Sequence, residues 1–313
     1  MASLLDRLAP TPPRSMRRLA IANLVAQIGI TVTGATVRVT GSGLGCPEFP
    51  ECFPGSMVPV SHAEVAALHQ WVEFGNRLLT FVLVAIAGLC LLAALATRPR
   101  RRRLTLLAAA MPAGVLVQAA IGGATVLTGL AWWTVSVHFL VSSVLVWLAV
   151  MLVAAAGEGG AVPRPTVPGA IRGLVAAATG VLAALLLAGT LVTAAGPHAG
   201  DADTPRLGLG VEAVAQVHAE LLFGYLGLLA GLGFALRAVA APREVLRRYA
   251  LLVAVVLAQG ALGGVQYLLD VPEVLVVLHV LGAGLTTAAA ARLWLGTADR
   301  GTAPATPVPA AVV

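Results

Sequence analysis

Lysine is missing altogether: all 20 basic residues among the 313 are arginine, set against 14 acidic ones. Charged residues make up only 11% of the chain and hydrophobic ones 58%, with a mean hydropathy of +0.91. Charge this sparse excludes an ordinary soluble domain, which needs a well-charged surface to stay in solution. No cleavable signal peptide is expected either. Asp6 and Pro10 interrupt the first ten residues and no short apolar stretch ends in a small-residue cleavage site, so the first span is expected to stay as an anchor. The net charge of +6 and pI of 10.2 do not describe a nucleic-acid binder, because the arginines follow membrane topology. Seventeen of them fall in alternate connections or their flanks, among them Arg14, Arg17 and Arg18, Arg100 to Arg103, and Arg243, Arg247 and Arg248. The other connections carry acids such as Glu48, Glu51, Asp201, Asp203 and Asp270. By the positive-inside rule both termini are cytoplasmic, in a multi-pass protein of the cell (plasma) membrane.

What is abundant is long apolar sequence. Runs lie near residues 19–37, 70–96, 104–127, 132–155, 173–195, 213–240, 249–269 and 274–296. Each suffices to cross a bilayer, which takes about 20 residues. Backbone groups in lipid must bond within their own segment, so these spans are helices. Two stretches carry the same residues 141 positions apart: Gln118, Gly122, Gly123 and His138 recur as Gln259, Gly263, Gly264 and His279. Gly34, Gly41 and Gly45 recur as Gly189, Gly196 and Gly200. Four spans per repeat bring both halves into the membrane with one orientation, unlike the inverted repeats of many transporters. The expected fold is therefore an all-α integral membrane protein, with eight transmembrane helices as two parallel pseudo-symmetric four-helix bundles. The expected divisions are a cytoplasmic segment 1–18, a first bundle 19–156 with an outer loop 39–68, a linker 157–172, a second bundle 173–297 and a disordered tail 298–313.

The histidines carry the chemistry. His218 and His279 each sit within two turns of the outer end of a span, roughly 8–10 Å deep at about 1.5 Å per residue. Ionisable groups in a span are costly and mark function by default. Two histidines on neighbouring helices at one depth suit axial ligation of a single haem iron; the plainer reading is hydrogen bonding between helices. Counting back from His138 as His218 stands to His279 lands on Asn76, a poor iron ligand, so the first half holds its occupant loosely or by one bond. Glu73 and Arg77 belong to the same pocket. The carboxylate would relay protons or stabilise developing positive charge, or form a structural i,i+4 pair with the arginine. His69, one turn before Glu73, is a stand-in ligand, with His62 behind it. Cys46 and Cys52 lie in a proline-bent outer segment, within reach of a disulfide that is either a staple or a redox pair. Cys90, deep in the second span, reads as packing. Arg38 and Arg206 are outer-side candidates to pair with haem propionates or to be solvated loop charges. His198 is the weakest candidate.

Thr40-Gly41-Ser42-Gly43-Leu44-Gly45-Cys46-Pro47, the second cysteine, Glu73-Phe74-Gly75-Asn76-Arg77, and His138, His218 and His279 together resemble the haem A synthase family, over essentially the whole chain. The resemblance implies oxidation of a ring methyl of haem O to a formyl group, giving haem A for oxidases of the aa3 type. It implies that His218 and His279 ligate a resident haem b (iron protoporphyrin IX), that His138 binds the substrate haem, that Glu73 is the catalytic carboxylate, and that Cys46 and Cys52 form the outer-loop disulfide. Asn76 departs from the common motif, which has histidine there, and the variant resembles an actinobacterial one. Expected partners are haem O, haem O synthase, cytochrome oxidase assembly factors, the lipid bilayer and a homo-oligomeric copy, with no nucleic acid. Two rivals make different demands. A b-type cytochrome subunit relaying electrons to or from quinone needs paired histidines but neither Glu73 nor the outer cysteines. A parallel-repeat transporter needs charges near the midplane.

Overall fold

The computed structural model describes residues 10–62, 64–159 and 161–301. Eight helices make up most of it: α1 Pro13–Val39, α2 Ala67–Ala96, α3 Arg102–Leu127, α4 Trp132–Gly157, α5 Gly169–Ala195, α6 Val211–Ala238, α7 Arg243–Leu268 and α8 Glu273–Gly296. All eight are long and apolar enough to span a membrane, and the protein is multi-pass. The shortest has 24 residues and the longest 30, about 36–45 Å of helix against a hydrocarbon core near 30 Å. Their ends therefore reach into the interfacial layers, which is why α1 starts at Pro13 and α5 at Gly169, several residues before the apolar runs. Proline opens several helices, at the first position of α1 and immediately before α5, α7 and α8. There its fixed φ suits a helix start and its missing N–H goes unmissed. Left-handed residues close others: Gly129 and Leu130 after α3, Asp270 and Val271 after α7.

Helix contacts close two rings, α1–α2–α3–α4 and α5–α6–α7–α8, which meet where α8 packs on α1 and α4, and α4 on α5. Each ring has its own apolar core. Met16, Ala20, Leu104, Met111 and Leu152 belong to one, Tyr225, Leu232, Leu252 and Leu293 to the other. Cys90 is fully buried in the first, as packing requires. Both cores are densest toward the end at which α1 begins. The opposite end, called outer here because it carries the cysteine loop, is where the histidines lie. Large side chains such as Phe81, Phe223, Phe234 and Leu268 are exposed on the flanks, as a lipid-facing surface allows.

The outer loops knit the rings together. Gly43 N donates to Gly200 O at 2.8 Å, and Leu130 packs on both glycines. Arg38 donates to His198 O and Thr193 O, and His198 Nε2 lies 2.9 Å from Val271 O. On the other side, the tail expected to be disordered from residue 298 begins instead as strand β2 (Ala298–Asp299), antiparallel to β1 (Arg164–Pro165) in the linker. Backbone bonding to the linker orders that short stretch. The rest of the expected tail, 302–313, and the first nine residues of the N-terminal segment lie outside the described residues.

Candidate functional site

Glycines decide where the histidine rings can lie. A Cβ on Gly189 of α5 would stand 3.1 Å from Cε1 of His218, and one on Gly263 of α7 would stand 3.1 Å from Cε1 of His279. A side chain at either position would crowd the ring, and glycine lets both imidazoles settle against neighbouring helices. His218 Nδ1 lies 3.1 Å from Leu185 O. If that nitrogen carries the proton, Nε2 is left free to ligate, the outer-shell arrangement usual for metal-bound histidine. His279 Nδ1 is buried with no hydrogen-bond partner among the described residues. The two ring centres are 6.4 Å apart with an interplanar angle of 61°. Two metal–nitrogen bonds of about 2 Å, with about 1.1 Å from each nitrogen to its ring centre, put the centres of two axial imidazoles roughly 6 Å apart. The spacing thus fits one iron between His218 and His279, on α6 and α8.

The first ring repeats part of this. Gly122 of α3 lies against His138 of α4, its virtual Cβ 3.4 Å from Cε1, and His138 Nδ1 is a buried atom without a hydrogen-bond partner among the described residues. Gln118 Nε2 donates to His138 O at 3.0 Å, just as Gln259 Nε2 donates to His279 O at 2.7 Å. The sequence repeat therefore makes the same local bond twice. Opposite, the match ends. Asn76 Oδ1 accepts a 2.7 Å bond from Thr33 Oγ1 on α1, and Gly34 beside it has nothing within 4 Å of its virtual Cβ. The recess that Gly189 fills with His218 is left unfilled at Gly34.

Over this end lies the cysteine loop. Cys46 and Cys52 are disulfide-bonded and fully buried. Glu73 is only 5% exposed. Its Oε2 accepts from Cys46 N at 2.7 Å, and its Oε1 accepts from Arg77 Nη2 at 2.6 Å. Arg77 in turn donates to Cys46 O and Glu51 O. Burying such a pair is costly unless every lone pair and proton is used, and the loop backbone supplies the missing partners. His69 Nδ1 lies 2.9 Å from Ser42 Oγ, which engages it with the loop. His62 stacks on Phe53 at 4.9 Å, also in the loop. Arg38 spends its bonds on backbone carbonyls of α5 and the loop after it.

A profile described as cytochrome oxidase assembly protein matches residues 17–202. The chain belongs to that family. Two proteins named heme A synthase, from Geobacillus thermodenitrificans and from Geobacillus kaustophilus (strain HTA426), are each 36% identical to it over 55 residues. That stretch is 18% of this chain and 16% of each relative's length. The family match takes in α1 to α5, and with them the Cys46–Cys52 loop, Glu73, Asn76, Arg77 and His138. It ends before α6, so His218 and His279 rest on their geometry alone. Sequence reasoning missed Phe49, whose ring lies against Gly123. The signal was available, since Gly123 and Gly264 are one repeated pair and only the first ring has a long loop above it.

Proposed function

We propose that this family member is a haem A synthase, an oxidoreductase that converts a ring methyl of haem O to a formyl group. Overall, one methyl and one water would become one formyl group, with the new oxygen taken from water, four protons released and four electrons passed to an external electron acceptor. The observation that carries the reading is the inequality of the two histidine sites. The 6.4 Å between the His218 and His279 ring centres suits a resident bis-histidine haem b, whereas the first-ring counterpart of His218 is Asn76, whose oxygen is already bonded to Thr33. A substrate must leave as product, so a single protein ligand suits it and a pair does not. A bis-histidine haem b supplies one-electron transfer when bound.

The chain's own residues do the rest. His138 holds the iron of haem O. Glu73 keeps a negative charge near the reacting edge, where positive charge develops on the methyl carbon. With both of its oxygens accepting hydrogen bonds, charge stabilisation fits the carboxylate better than proton relay. Arg77 fixes its rotamer. The loop pinned by both residues shields the site from bulk water, while the farnesyl tail of the substrate lies among lipid-facing helices. A plain b-type cytochrome would have no use for the Glu73–Arg77–loop cluster. The protein is proposed to lie in the plasma membrane with both termini in the cytoplasm, receiving haem O from haem O synthase and passing haem A toward oxidase assembly. The test is pigment extraction from a haem O-producing host with and without the gene. The formyl-bearing haem is expected only with it, and haem O alone in both would end the proposal.

A further inference from the structure

The repeated glycine pairs have different surroundings. Gly264 in the second ring has nothing within 4 Å of its virtual Cβ, while that of Gly123 would stand 2.5 Å from Cδ1 and Cε1 of Phe49. In the first ring, then, the α3 face beside His138 is covered by an aromatic ring from the outer loop. In the second ring the corresponding face of α7 is open. Phe49 is not part of the apolar core. It is 39% exposed, with the Arg77 guanidinium 6.0 Å from its ring centre, whereas Cys46 and Cys52 are 0% exposed and Phe53 is 4%.

The loop is built with a fixed stem and a tip. At the stem, Gly45 sits so close to the His69 backbone that no side chain would fit, Cys46 is bonded through its N–H to Glu73 and through its carbonyl to Arg77, and the disulfide joins Cys46 to Cys52. Only five residues, Pro47 to Glu51, lie between the cysteines. Two are proline, so the tip is stiff and tilts as a unit. Among the described residues, what holds it down is a hydrogen bond from Arg77 to Glu51 O, one from Gly55 N to the Glu51 carboxylate and the contact of Phe49 with Gly123. Each is individually modest.

We infer that Phe49 is a displaceable wall of the substrate site: its ring and a flat porphyrin compete for the face of α3 opened by Gly123, so entry of substrate requires the loop tip to lift. This rests on the first ring being the porphyrin-exchanging site. It would distinguish an exchanging first site from a retaining second one with the same glycine pair in each, since among the described residues nothing covers Gly264.

The test uses purified full-length protein that retains its resident haem, mixed with haemin in detergent and followed by stopped-flow absorbance. Phe49→Ala is expected to speed association of the second equivalent about tenfold, and Phe49→Leu by less. Gly123→Leu is expected to block that equivalent in either background, because it fills the contested face permanently. An unchanged resident-haem spectrum shows that each variant is folded. Wild-type association rates in both Phe49 variants would overturn the inference, as would binding that survives Gly123→Leu. Faster haemin entry without any haem A formation in the host would instead sink the synthase reading and leave the wall in place.

Discussion

Replacing Asn76 by histidine probes the weak point of the first ring. The change removes the Asn76–Thr33 bond, for which a typical hydrogen bond contributes about 1 kcal/mol. Thr33 Oγ1 also lies 3.1 Å from Ile30 O, so its hydroxyl keeps an acceptor and the net loss is smaller. The new imidazole has somewhere to go. Gly34 offers a free recess on α1, the counterpart of α5, where Gly189 seats His218 in the second ring. A second axial ligand opposite His138 should then slow haem loss from the first ring at least tenfold, equivalent to about 1.4 kcal/mol. The readout is the haem-to-protein ratio after purification, with the low-spin absorbance per protein. Asn76→His should raise both, and turnover should fall because product leaves more slowly. Adding Gly34→Leu should cancel the gain by filling the recess. An unchanged ratio and spectrum in Asn76→His, or a gain that Gly34→Leu leaves intact, would refute the reasoning.

Other perturbations separate the two rings. His218→Ala or His279→Ala should each abolish the low-spin haem spectrum of the purified protein; a spectrum that persists removes the ligand assignment. Gly263→Leu should do nearly the same without touching a ligand, because even a Cβ there stands 3.1 Å from the His279 ring. Full haem content in that variant would show that the recess is not needed. Glu73→Ala should stop haem A formation while the resident haem stays bound. The same change strips partners from Arg77 and Cys46 N, and breaking a buried pair costs about 3–5 kcal/mol, so the loop should also become sensitive to protease. Normal product yield would rule out the carboxylate's role.

The architecture was legible because its signals are long and redundant. Twenty apolar residues in a row admit one structure in lipid, and the arginine pattern and the repeat agree with it. That His218 and His279 lie close together was legible for a related reason: each is an ionisable residue in a span, and Gln118 and His138 repeat Gln259 and His279. What escaped was everything set by loop conformation. Nothing in the spacing of Glu73 and Arg77 says that both are bonded to the backbone around Cys46, or that His69 is engaged by Ser42. Both contacts depend on how a long irregular segment folds back over α2. Arg38 was read as a propionate partner or a solvated charge, and it is instead a clasp on α5 and the following loop. A residue's charge is visible in sequence, but the carbonyls within its reach are not. The short strand at Ala298–Asp299 was hidden for the same reason, since two residues of pairing have no periodicity to detect.

If the first ring exchanges a porphyrin and the second retains one, as proposed above, the difference comes down to a few side chains on a similar helical frame. Gly122 and Gly263 back their histidines alike, and Gln118 and Gln259 hold the same carbonyls. The first ring differs in lacking the second histidine and in having an aromatic ring over its open glycine. If those two features suffice, removing both should turn an exchanging site into a retaining one. The double variant Phe49→Ala with Asn76→His is therefore expected to purify with two low-spin haems per chain where the wild type holds one firmly. It should take up haemin faster than Asn76→His alone, because the wall governs entry and the ligand governs exit. It should also form little haem A, since a substrate gripped from both sides cannot be released. Two contributions acting on different steps ought to be close to additive in free energy. A double variant that binds no more haem than Asn76→His, and no faster, would mean that wall and ligand act on one step. The two rings would then differ by something other than the residues that line them.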